Sequence, residues 1–154
     1  MMNFILIHLE RFIRRICGNM GIKIFGPEGT GADNIFVYCD LKHKGKLNHI
    51  LLSTGCRFLK KGVLSGYEMY NILNSYPIII SSRGFHEVQG EIWSIGHAKI
   101  FDSLDSIKSP MARKIYEIKS GKEKLMCWMY FMPEMAFNPD ASGVRLNKEG
   151  KWKV

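Results

Sequence analysis

The segment Ile35-Phe36-Val37-Tyr38-Cys39-Asp40-Leu41 constrains this chain more than any other. The run from Asn34 to Cys39 is almost continuously apolar, which predicts a strand buried on both faces in the interior of a sheet. It then enters a short polar loop, Lys42-His43-Lys44, followed by Gly45 and the pair Asn48-His49. Backbone groups leave the ladder at the end of such a strand, so a binding site is expected there.

The rest of the body predicts further strands and few helices. Asn48 to Leu52 suits a helical turn. Val63 to Ile72 reads as one strand carrying Tyr67 and Tyr70. Tyr76-Pro77 is expected to break the chain before a strand at Ile78 to Ser81, because proline donates nothing to a ladder. From Phe85 to Ile95, alternation sends Val88, Gly90 and Ile92 to one face and Gln89, Glu91 and Trp93 to the other. A helix follows from His97 to about Ile107, with Ile100, Phe101, Leu104 and Ile107 as its inner stripe. Lys108, four residues beyond Leu104, leans to the same side if the helix reaches it. Strands at Lys114 to Lys119 and Lys124 to Met132 flank the turn Ser120-Gly121-Lys122. Val144 to Val154 is expected to form a small hairpin around Asn147-Lys148-Glu149-Gly150. This order predicts an α+β fold on a small, mixed, partly closed, barrel-like sheet with few short helices. The expected organisation is an extension over 1–33, a domain over 34–132 and a tail over 133–154.

In the extension, Ile5, Leu9, Phe12, Ile13 and Ile16 recur at helical spacing opposite Glu10, Arg11, Arg14 and Arg15, an amphipathic pattern. The stretch is too short and too charged to span a bilayer, and it lacks the form of a secretory signal. Membrane-surface contact by residues 3–19, a transit peptide and docking on a partner stay open beside the favoured reading, packing on its own domain or on a second copy in a homodimer. Met20 is an alternative start. Gly26-Pro27-Glu28-Gly29-Thr30-Gly31 lacks the Gly-Lys-Ser/Thr ending of a phosphate loop.

The net charge of +8 over 154 residues favours acidic partners without choosing among nucleic acid, anionic lipid and acidic protein. Cys17, Cys39, Cys56 and Cys127 contain no CxxC pair and read as free thiols in a reducing, cytoplasmic setting. Cys39, His43 and His49 are irregularly spaced for a metal site, so neither metal nor cofactor is expected.

The order of these features resembles the gamma-glutamylcyclotransferase-like superfamily, most closely its gamma-glutamylamine cyclotransferase and plant avirulence-induced branch. The resemblance rests on Tyr38, Leu41, Gly45, Asn48 and His49, then Gly90, Glu91 and Trp93, then Leu104 and Asp105, with Trp128 and Tyr130 echoing the closing aromatic strand. It implies that fold, and a pocket lined by Tyr38, Cys39, Asp40, Leu41, Asn48 and Lys108. The implied chemistry is internal aminolysis: a γ-glutamyl α-amine attacks its own γ-carbonyl, releasing 5-oxoproline and an amine. A carboxylate must take the ammonium proton and return one to the leaving nitrogen.

The departures fall on that site. Cys39 stands where the family has glycine, Asp40 where it has a hydroxyl residue, Lys108 where it has the catalytic glutamate, and Met111 near its later tyrosine. A side chain at Cys39 restricts the backbone if the loop needs positive φ. Lys108 and Asp40 could face each other as an inverted charge pair, or each could point to solvent.

Three functions follow. The first is a catalytically impaired or repurposed member that binds a small γ-glutamyl-type ligand or a protein. The second is a surviving enzyme with a relocated base: Glu91 first, ahead of Asp40 and Asp105, against the bland reading of a structural carboxylate. The third is a basic nucleic-acid- or host-protein-binding module, suggested by Lys42, His43, Lys44 and Lys46 beside Tyr38 and by Arg57, Lys60 and Lys61, without a recognition motif.

Overall fold

The computed structural model describes residues 32–108 and 111–154, so the amphipathic stretch at 3–19, Cys17, Met20 and the glycine-rich segment lie outside the described residues. Five strands close a barrel in the order β1 (Asn34–Val37), β5 (Glu87–Ser94), β2 (Arg57–Ser65), β6 (Ala112–Ser120) and β7 (Glu123–Phe131). The last step of the circle is a parallel pairing, Asn34 with Cys127 and Ile35 with Trp128; the other neighbours are antiparallel. β1 is short because it is an inner stave: Ile35, Phe36 and Val37 are all buried, as its unbroken apolar run predicts.

A second sheet, ordered β4 (Tyr76–Ser81), β3 (Tyr67–Ile72) and β8 (Val144–Asn147), flanks the barrel. Here the structure corrects several expectations. The stretch from Val63 to Ile72 is two strands, not one, because Gly66 adopts φ +82 and turns the chain from the barrel into the second sheet. Pro77 sits inside β4 rather than ahead of it; β4 is an edge strand, where a missing donor costs nothing. The tail makes the turn at Asn147–Gly150 but no hairpin, since β8 finds its ladder partner in β3, from Met69↔Asn147 to Ile72↔Val144.

Among the described residues, two α-helices pack beside the strands. Helix α1 (Asn48–Ser53) follows the loop after β1 and buries Leu51. Helix α2 (Ile100–Lys108) buries Ile100, Phe101 and Leu104 against the barrel. Ile107, expected on the inner stripe, is 46 % exposed. It lies about 100° around the helix from Lys108, and Lys108 takes the inward direction. Among the described residues, no helix is long and apolar enough to cross a membrane.

Candidate functional site

The loop after β1 is folded by its own backbone. Lys42 N–H donates to the Cys39 carbonyl at 3.0 Å, Gly45 N–H to Lys42 at 2.8 Å, and Leu47 N–H returns to Asp40 at 3.0 Å. The return brings residue 45 onto Asp40: a Cβ on Gly45 would lie 2.0 Å from the Asp40 carbonyl oxygen, so only glycine fits. Asn48 Nδ2 donates to the Leu41 carbonyl at 2.8 Å and fixes the loop to the start of α1. Tyr38 is buried and its hydroxyl donates to the Tyr130 carbonyl at 3.0 Å, while burial pushes its phenol well above the usual range. Positive φ occurs at Lys44, and Cys39 is not among the left-handed residues, so its side chain fits this loop without backbone strain.

The strongest convergence is between the end of α2 and the end of β1. Lys108 Nζ lies 2.9 Å from Cys39 Sγ, across 69 positions of sequence. The spacing from Leu104 anticipates that inward direction. Asp40 does not share it: its Oδ1 accepts a hydrogen bond from Trp152 Nε1 at 2.9 Å. No ion pair joins Lys108 to Asp40 among the described residues. The inverted charge pair is therefore corrected: the loop turns consecutive side chains to opposite sides, Cys39 to α2 and Asp40 to the tail.

Trp152 is the residue that sequence reasoning missed. Besides its bond to Asp40, its carbonyl accepts from Lys42 Nζ, and Gly150 just before it accepts from Gln89 N–H at 2.8 Å. Lys42, read as part of a basic surface run, is thereby buried; desolvation lowers its pKa, and Glu91, Cys39 and Asp40 oppose that shift. The tail thus straps the outer side of the loop. A lone tryptophan beyond a turn in a lysine-rich tail was the available signal, but nothing local told where it docks.

Glu91 lies on β5, opposite Lys61 and Val37. Its Oε2 accepts from His43 N–H at 2.8 Å and from Trp93 Nε1 at 3.0 Å. Gly90 beside it is required by space, since a Cβ there would meet the Val37 carbonyl at 2.5 Å and the Phe36 ring at 2.6 Å. Trp93, assigned by alternation to the polar face, is buried with Phe58 edge-on at 5.8 Å. Asp105 has both oxygens engaged, Oδ1 by the Tyr130 hydroxyl and Oδ2 by Arg113 Nη2 at 3.1 Å. The Arg113 guanidinium sits 4.0 Å from the centre of the Phe101 ring and 5.0 Å from that of Trp128. Burial and the Asp105 carboxylate together raise the Tyr130 phenol, so it is held as a neutral donor.

Of the six expected pocket residues, Cys39 and Lys108 meet directly. Tyr38, Leu41 and Asn48 are buried supports of the loop, and Asp40 lines a separate groove against the tail. Among the described residues, no three His, Cys, Asp or Glu side chains gather as metal ligands.

Solved structures share this architecture. A mouse AIG2-like protein matches with a TM-score of 0.62 at 18% identity over 79% of this chain and 88% of its own. A uropathogenic Escherichia coli-specific protein matches at 0.59 and 21%, over 78% and 91%. An uncharacterized protein from Pyrococcus horikoshii matches at 0.54 and 19%, over 78% and 89%. At these identities the likeness concerns the fold, and among curated proteins no sequence match is found. The family model for "Gamma-glutamyl cyclotransferase, AIG2-like" matches residues 35–154, through both sheets and the strapping tail, and the chain belongs to that family.

Proposed function

We propose that this protein is a divergent gamma-glutamyl cyclotransferase-like member whose family pocket is catalytically impaired and binds a small γ-glutamyl-type ligand. The observation that carries the reading is the contact of Lys108 Nζ with Cys39 Sγ at 2.9 Å. Cyclisation needs a carboxylate to accept the proton of the attacking ammonium, and the position that resembles the family's catalytic glutamate supplies a lysine instead. An ammonium there favours an anionic group, such as the ligand's carboxylate, over the ligand's own ammonium.

The carboxylates available to substitute are committed elsewhere. Glu91 Oε2 holds two N–H donors, Asp105 holds a phenol and a guanidinium, and Asp40 holds the Trp152 indole. Each would have to give up those partners to take the ammonium proton. Glu91 remains the residue to test for a relocated base. The buried free thiols Cys39, Cys56 and Cys127 fit the reducing cytoplasm in which we place the protein.

The test compares the parent and Lys108→Glu with γ-glutamyl-amines, γ-glutamyl-amino acids and glutathione, following thermal shift and 5-oxoproline release. The expected result is binding without turnover by the parent and 5-oxoproline release by Lys108→Glu. Turnover by the parent that disappears in Glu91→Gln overturns the reading and makes the protein an enzyme with a moved carboxylate.

A further inference from the structure

A wide groove lies away from the Cys39–Lys108 contact. It has a volume of about 940 Å³ and runs between the loop after β1, the β3–β4 turn and the tail. Lys44, Lys46, Lys148, Lys151 and Lys153 line it, and all five are exposed. A second groove of about 460 Å³ shares Lys151 with the first and adds exposed Lys61 and Lys119 from β2 and β6. Seven exposed lysines from four parts of the chain thus border two grooves that meet at Lys151, although they are scattered in sequence.

Three carboxylates, Asp40, Glu91 and Glu149, line the same grooves, so the seven lysines leave the lining net positive. The remaining lining is suited to a heteroaromatic polyanion. Asn71, Asn74 and Asn147 offer amide donors and acceptors along the larger lobe. Trp152 lies in the wall of that lobe, and its bond to Asp40 holds the indole in a fixed orientation.

We propose that the two lysine-lined lobes form one binding site for single-stranded nucleic acid, with the lysines on phosphates and Trp152 and the asparagines facing bases. Sequence-tolerant single-strand binding combines a positive groove that follows the backbone with aromatic platforms for bases. A protein partner would need an apolar anchor pocket, whereas this groove has only Leu146, Trp152 and Val154 as large apolar liners. Concavity argues against a duplex, which is met by a protruding helix or ribbon that enters its groove.

The test uses the full chain and fluorescein-labelled 12-nucleotide single-stranded RNA and DNA, read by anisotropy from 50 to 200 mM salt. The expected result is binding whose log K falls linearly with log salt, with a slope of about −3 for four or five phosphates. Lys148→Gln/Lys151→Gln should weaken binding roughly fivefold or more and reduce the slope by about 1.4, two phosphates' worth. Arg83→Gln/Lys99→Gln, an equal loss of charge at exposed positions outside both lobes, should leave it near the parent value. Absence of binding at 50 mM salt overturns the proposal. Equal weakening by both double variants, or equal competition by poly-glutamate, also overturns it and leaves an unspecific basic surface.

Discussion

Trp152 and Asp40, 112 positions apart, meet through an indole N–H to carboxylate hydrogen bond of 2.9 Å, and the same tryptophan's carbonyl takes the ammonium of Lys42. The strap therefore depends on one side chain of the loop after β1. Asp40→Ala removes the acceptor and leaves a half-buried indole donor, which should cost about 1–2 kcal/mol. Asp40→Asn keeps an acceptor oxygen and should cost less than half of that. Thermal unfolding separates the two, with the alanine variant several degrees below the asparagine variant; equal melting temperatures would refute the role of Asp40 as tail anchor.

Gly45→Ala should be among the most damaging small substitutions in the molecule. The added methyl would stand 2.0 Å from the Asp40 carbonyl, and that neighbour is backbone. The loop must open or the strand end must shift, a cost of roughly 3 kcal/mol or more. Urea unfolding midpoints check this, and a variant within 1 kcal/mol of the parent contradicts the close approach.

Asp105→Ala leaves the Arg113 guanidinium, 5 % exposed and lying over the Phe101 and Trp128 rings, without its carboxylate. Breaking one side of a fully buried ion pair costs about 3–5 kcal/mol, and with Asp105 33 % exposed the loss here should be smaller, about 2–3 kcal/mol. Replacing both, in Asp105→Ala/Arg113→Met, should recover part of that loss because no charge is then stranded. Chemical denaturation of the two variants gives the comparison; a double variant less stable than the single one would show that Arg113 acts chiefly through packing.

Alkaline pH should unfold the protein cooperatively. Burial pushes the Cys127 thiol from 9.0 up to about 12 and, helped by Tyr116 and Glu134, the Tyr67 phenol from 10.0 up to about 12. Burial also raises Tyr38 and Tyr130. These folded values exceed the unfolded ones, so the stabilisation is complete below pH 9 and is lost as pH climbs toward 12. Lys42 and Lys114 are lowered by burial and act in the opposite direction, but the raised groups, which include Tyr70 and Tyr76, outnumber them. Denaturation midpoints at pH 8, 9, 10 and 11 should fall steadily, and Cys127→Ala should flatten the first part of the fall.

The sequence revealed those parts of the fold that periodicity governs. β1 could be recognised because an inner stave needs an unbroken apolar run, and the inward reach of Lys108 followed from its position four residues after Leu104. The break at Gly66 was hidden because apolar residues continue on both sides, so the change of sheet depends on one backbone angle. The direction of Asp40 is hidden for a related reason. Its direction is set by the return of Leu47 N–H to its carbonyl and by a tail docking from 112 residues away, neither of which leaves a local pattern. Trp152 was missed for the same cause, and with it the burial of Lys42.

The parallel pairing of β1 with β7 has a consequence in time. Asn34 and Ile35 meet Cys127 and Trp128 only after more than ninety intervening residues have been made. A strand synthesised first must wait, with its apolar face uncovered on one side, until the final stave arrives. Contacts of such separation slow folding, because the chain between them must be ordered before they form. Until β7 is made that edge of β1 has no partner, and β7 is the stave that closes the ring.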